Sequence, residues 1–116
     1  MKASQIFGLA RSAVVYRARP WKVGRAARFY GQFVGPSDLC FDIGAHLGDR
    51  TAAFRRLGAM VVAVEPQPLF AAALRRLHGH DASVTLIESA VGARPGHGEM
   101  LISHATPTLS TLNAAW

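Results

Sequence analysis

The spacing of apolar residues changes twice along the chain, and each change predicts a different element. Ile6, Leu9, Ala10, Ala13 and Val14 recur at helical spacing and share one face. Pro20 predicts the end of that helix or the start of the next. Ala26, Phe29, Tyr30 and Phe33 form a second stripe, with Lys22, Arg25 and Arg28 away from it. Gly35-Pro36-Ser37 then punctuates the chain.

Beyond that punctuation the period shortens. Leu39-Cys40-Phe41-Asp42-Ile43 is an apolar run ending in Gly44, which predicts a buried strand. A helix is expected over Leu47–Leu57, with Asp49 near its start and Gly58 just past its end. Met60-Val61-Val62-Ala63-Val64 is a continuous, β-rich apolar run, as in a parallel strand covered on both faces. Pro68 suits the first turn of a helix whose stripe is Phe70, Ala73, Leu74 and Leu77, with Gly79 as its stop. Ser83–Ile87 is a third strand. Alternation of strand and helix implies right-handed crossovers and a parallel sheet. Glu99 to Ser103 is extended and apolar but follows the third strand by only about ten turn-rich residues, fewer than a parallel crossover needs. It is expected to pair antiparallel or to lie outside the regular order.

Composition sets the scale. The chain has 116 residues, half of them hydrophobic, which is enough for one packed domain and too little for two. Its formal charge of +6 is unevenly placed. Seven bases and no acid precede Asp38; six bases and seven acids follow from there. The organisation expected is a basic amphipathic helical segment, residues 1–37, followed by an α/β domain, residues 38–116. Cys40 is the single cysteine, which excludes an intramolecular disulfide and a thiolate zinc site. It reads as a small core residue and fits a reducing, cytoplasmic compartment. No apolar run approaches the roughly 18 residues of a membrane span, and Arg11 and Arg17 interrupt any signal-peptide core.

Candidate chemistry gathers at two strand ends. Asp42, Gly44 and Glu65 lie where a parallel sheet binds ligands. Gly44 lets the backbone turn sharply, and Gly48 allows tight packing where the helix begins. Glu65 follows Gly44 by 21 residues, near the spacing at which an acid accepts hydrogen bonds from a ribose diol. A dinucleotide site wants G-x-G-x-x-G, whereas these glycines read G-x-x-x-G. Asp42 and Asp49 flank the turn and would repel a pyrophosphate, whereas Asp42 would attract the ammonium and sulfonium of S-adenosylmethionine and the loop amides could serve its carboxylate. The sign of the charges thus favours that cofactor over NAD.

Phe41-Asp42-Ile43-Gly44-Ala45-His46-Leu47-Gly48, followed by Val62-Ala63-Val64-Glu65-Pro66, resembles the FkbM family of S-adenosylmethionine-dependent methyltransferases. Ser89-Ala90-Val91-Gly92, Gly98-Glu99 and the Ser/Thr-rich stretch near Ser110 also match, so the resemblance runs from about Phe29 to Trp116. It implies a Rossmann-like class I methyltransferase fold and O-methyl transfer to a small-molecule or glycan hydroxyl. It implies that Asp42 and Gly44 hold the methionine part, that Glu65 binds the ribose hydroxyls, that Glu88 and Ser89 border the adenine, and that Ala45, His46, Gly48 and Pro66 also belong to the cofactor site. The family continues with a Lys-Ile-Asp-x-Glu-Gly strand that has no counterpart here. The expectation is therefore the N-terminal half of the domain, a truncated fragment with its catalytic residue unassigned.

Plainer roles stand beside these. Asp42 suits a turn cap, Asp49 a helix-dipole partner, and Glu88 a solvated carboxylate. His46 reads as a hydrogen-bonding loop residue ahead of a base. His78 and His80, at a helix end, do not make a metal site. The basic first third reads as a solvated face. The alternative function is a non-catalytic fragment binding an anionic membrane, through residues 1–34, or a partner protein. Nucleic acid ranks last.

Overall fold

In the computed structural model, the residues described are 20–100 together with Lys2, Ala3 and Ile6. The expected stripe from Ile6 to Val14 and the polar stretch from Thr106 to Thr111 therefore lie outside them, apart from Ile6.

Helix α1 spans Pro20–Tyr30, with proline in its first turn, where a missing N–H costs nothing. Strand β1 (Leu39–Ile43) leads to helix α2 (Asp49–Arg56), strand β2 (Met60–Val64), helix α3 (Pro68–His78) and strand β3 (Val84–Ile87). The sheet order is β1-β2-β3, and both pairings are parallel. Leu39 lies opposite Met60 and Ile43 opposite Val64, so the two strand tips end level. The fold is α/β, as the alternating pattern predicts. Glu99 and Met100, the described part of the expected fourth strand, form no strand.

Both crossovers step in the same direction across the sheet. Right-handed connections therefore place α2 and α3 on one face. The core forms there: Phe54 of α2 and Leu74 of α3 pack with Ala59, Val61 and Ala63, and Ala45 joins from the loop after β1. Cys40 is half-buried against this cluster, and burial, with Asp38 adding to it, pushes its thiol pKa up. On the opposite face Val64 is buried and Val62 half-buried, but the rest stands out from the described residues. Leu39, Phe41, Ile43, Met60 and Ile87 are all exposed. Strand β2 is covered on the helix side, and on the other side its cover runs from an exposed Met60 to a buried Val64.

Two contacts fix the helices around the core. Tyr30 meets Phe54 edge to face at 4.9 Å, docking α1 on α2. Arg55 donates from Nε to Asp81 Oδ2 at 2.7 Å and from Nη1 to the Ala59 carbonyl at 2.8 Å, tying α2 to the turn before β3. The face that α1 turns inward is Val23, Ala26, Ala27 and Tyr30, of which Ala27 is buried. Phe29 and Phe33, half of the stripe that the spacing marks out, are exposed instead.

Candidate functional site

The loop between β1 and α2 is held in place by the tip of β2. Gly44 and Ala45 both donate their N–H groups to the Val64 carbonyl, at 2.8 and 3.1 Å. Three residues then take left-handed backbone: Gly44 at φ 73°, His46 at 52° and Gly48 at 83°. Two are glycine, for which this region costs nothing. His46 adopts it under constraint: its N–H donates to Glu65 Oε1 at 3.0 Å, and its ring lies 4.7 Å from that of Phe70. That packing fits a loop-positioning role for His46.

The two glycines serve different ends. A Cβ on Gly44 would meet nothing within 4 Å, so the turn leaves open space in front of the strand tip. A Cβ on Gly48 would sit 2.7 Å from His78 Nε2 and 2.9 Å from Leu74 Cδ2. Gly48 is a packing position where α2 begins against α3, and Gly44 is a cradle.

Glu65 is 2% exposed. Its Oε1 accepts from His46 N–H, and its Oε2 accepts from Gln67 N–H at 2.8 Å. Charge-assisted bonds to two loops make it a brace between the β1–α2 turn and the start of α3. A carboxylate has about four acceptor positions, so two bonds leave capacity for a further donor. Asp42 is equally buried. Register puts Asp42 beside Ala63, and Glu65, two residues further along β2, has the side-chain direction of Ala63. Both acids therefore lie on the helix-covered side, at adjacent strand tips.

Asp42 Oδ2 accepts from the buried hydroxyl of Thr51 at 2.8 Å. Arg50 Nε approaches Oδ1 to 3.1 Å, and Arg50 Nη2 donates to the Ile43 carbonyl at 3.3 Å. The Arg50 approach is an ion pair without hydrogen-bond alignment: Oδ1 is buried and accepts no hydrogen bond from the described residues. Lys22 of α1 stands 3.9 Å from Asp49 Oδ2. Each acid flanking the turn thus has a cation of its own. The turn alternates in sign instead of being negative, and electrostatic repulsion of a phosphate loses its force as an argument. Sequence spacing did not bring out Lys22, Arg50 or Thr51. Arg50 and Thr51 follow Asp49 directly and could have been read as first-turn residues facing the strand tip. Lys22 gave no signal, because α1 docks through tertiary packing alone.

A hollow of about 290 Å³ opens here, lined by Lys22, Gly44, Ala45, His46, Asp49 and Arg50, with Leu47. A second, of about 510 Å³, lies where the chain leaves β3, with Pro66, Ser89, Arg94 and His97 in its wall. Of the residues singled out in the sequence, Gly44, Ala45 and His46 line the first hollow, and Pro66 and Ser89 the second. Asp42 and Glu65 are buried beside the turn and line neither. Gly48 is packed away, and Glu88 is exposed and pairs with Arg75 at 3.6 Å. No protein-family model matches the chain, and a search of curated proteins finds no relative.

Proposed function

We propose that this chain is the S-adenosylmethionine-binding part of a methyltransferase with a Rossmann-like class I fold, similar to the FkbM family, acting on a hydroxyl of a small molecule or glycan. The observation that carries the reading is the cradle at Gly44: a left-handed turn at the tip of β1, open in front, beside two buried carboxylates. The residues fit the cofactor's polar ends. Its amino-acid end is a zwitterion, and the hollow offers both signs: Lys22 and Arg50 for a carboxylate, Asp49 for an ammonium. Asp42, buried behind the turn, holds Arg50 beside the hollow through its ion pair at 3.1 Å. Glu65 retains acceptor capacity for a ribose hydroxyl. The hollow at Pro66 and Ser89 gives a base somewhere to lie.

When bound, the cofactor supplies a methyl group on a sulfonium, a good leaving group. The chain's own part is orientation. The brace from Glu65 to His46 and Gln67 fixes two loops at once, so positions on either side of the β2 tip are set before a ligand arrives. Holding reactants in line can contribute roughly 7–11 kcal/mol to such a transfer. NAD fits less well, because the third glycine of its fingerprint is missing.

Titration of the chain with S-adenosylhomocysteine and, separately, NAD by nuclear magnetic resonance tests this reading. Shifts of the Gly44, Ala45 and His46 amides with the first ligand are expected. The same shifts with NAD alone would replace methyl transfer with redox chemistry. Silence toward both would end the nucleoside reading.

A further inference from the structure

We infer that the outer face of α1 is a docking surface for an anionic lipid membrane. The inference is independent of any cofactor. Trp21, Arg25, Arg28 and Phe29 recur at helical spacing and share the side of α1 that points away from the core, and Gln32 extends that side into the following turn. Phe33 follows in the turn that continues the helix, where its N–H donates to the Tyr30 carbonyl at 2.9 Å. The rings are not covered: Trp21 is 53% exposed, Phe29 56% and Phe33 71%. Water-facing helices ordinarily carry Lys and Glu on this side. Here the side carries three large aromatic residues and two arginines, and no acid precedes Asp38.

That composition belongs at a bilayer surface. Aromatic rings settle at the boundary of headgroups and acyl chains, while guanidinium groups stay with lipid phosphates. The local packing suits it. Arg25 Cζ lies 5.5 Å from the centre of the Trp21 ring, so the cation rides on the aromatic body it would accompany into the interface. Among the described residues, no carboxylate pairs with Arg25 or Arg28. An 11-residue helix is about 16 Å long and would lie along the surface. No helix among the described residues is long and apolar enough to cross a membrane.

Single-stranded nucleic acid also pairs aromatics with arginines, but asks for a groove and for ring faces on which bases stack. Phe29 and Phe33 meet edge to face at 5.8 Å, and Arg25 covers Trp21. Neither arrangement offers a row of open faces, and the hollow of about 290 Å³ on this side is walled by Arg25, Arg28 and Gln32 with Phe29 as its one ring.

Co-sedimentation of the full chain with phosphatidylcholine vesicles, with and without phosphatidylserine, tests the inference. A single-stranded oligonucleotide serves as the competing probe. Binding is expected only with phosphatidylserine, and is expected to fall as salt rises. Arg25→Glu with Arg28→Glu should weaken it more than about tenfold. Phe29→Ser with Phe33→Ser should weaken it while leaving the circular dichroism spectrum unchanged, since both rings are exposed. In a Trp116→Phe background, Trp21 fluorescence should shift to the blue on binding. Equal binding to neutral vesicles would overturn the inference, as would binding to the oligonucleotide and not to vesicles. So would loss of binding on reversing Arg11, Arg17 and Arg19 with no effect from Arg25 and Arg28, which moves the contact off α1.

Discussion

Gly44 and Gly48 share a left-handed backbone but not an environment, and alanine at each should separate stability from ligand binding. At Gly48 a methyl group would lie 2.7 Å from His78 Nε2 and 2.9 Å from Leu74 Cδ2, closer than packed atoms approach. Left-handed backbone costs a non-glycine residue about 1–2 kcal/mol, and forced overpacking adds about 1–3 kcal/mol. Gly48→Ala should therefore lose several kcal/mol, which for a domain of this size lowers the melting temperature by roughly 10 °C or more. At Gly44 the methyl meets no atom within 4 Å, so only the backbone cost of about 1–2 kcal/mol applies. His46 already tolerates the same region at φ 52°. The methyl would instead project into the space in front of the strand tip, where the proposed ligand passes. Thermal unfolding followed by circular dichroism gives the first quantity, and calorimetry with S-adenosylhomocysteine the second. Gly44→Ala should melt well above Gly48→Ala yet lose ligand affinity. Equal melting temperatures would refute the packing argument. Unchanged affinity in Gly44→Ala would refute the cradle.

Glu65→Gln keeps the shape of the brace but turns an NH₂ toward either the His46 or the Gln67 N–H; urea denaturation should show a loss of about 1–3 kcal/mol without any ligand present. Thr51→Val keeps the volume beside Asp42 but removes the hydroxyl that donates to Oδ2, and the same measurement should show about 1.5–3 kcal/mol lost. The hydrogen bond from Arg55, followed by that from the Ser83 N–H, lowers the pKa of Asp81 below the usual carboxylate value. A depressed carboxylate pKa stabilises the fold above the unfolded value, and that contribution disappears as pH falls through the folded one. Arg55→Met should therefore reduce stability at neutral pH and flatten the decline below about pH 4 seen in the unaltered chain.

The central α/β unit was legible because its signals are local. β1, β2 and α3 begin and end where apolar runs meet Gly44, Pro68 and Gly79. The helix expected over Leu47–Leu57 starts instead at Asp49, since Gly48 at φ 83° lies outside helical backbone. The phase of α1 was not legible. Phe29 and Phe33 are the largest apolar residues in their stripe, and periodicity assigns such residues inward. The inward face is set by close approach to α2, which favours Ala26 and Ala27, with Tyr30 reaching Phe54. Gly44 and Glu65 could be placed from sequence, since strand tips follow from strand ends. Arg50, which pairs with Asp42, lay within reach of the same reasoning as a first-turn residue; Lys22, which pairs with Asp49, did not, because it arrives from an element whose docking no spacing encodes.

Helix α1 thereby joins two surfaces that the sequence keeps apart. Its Lys22 lines the hollow at the Gly44 turn, while Trp21, the adjacent residue, faces outward with Arg25. Eleven residues of helix cannot rotate to expose one side more without withdrawing the other, because Tyr30 on Phe54 fixes the phase. A membrane bound to the outer face would therefore set the orientation of the hollow relative to the lipid surface. An acceptor carried in that surface would meet the site at one height and angle, and a freely dissolved acceptor would gain nothing from the arrangement.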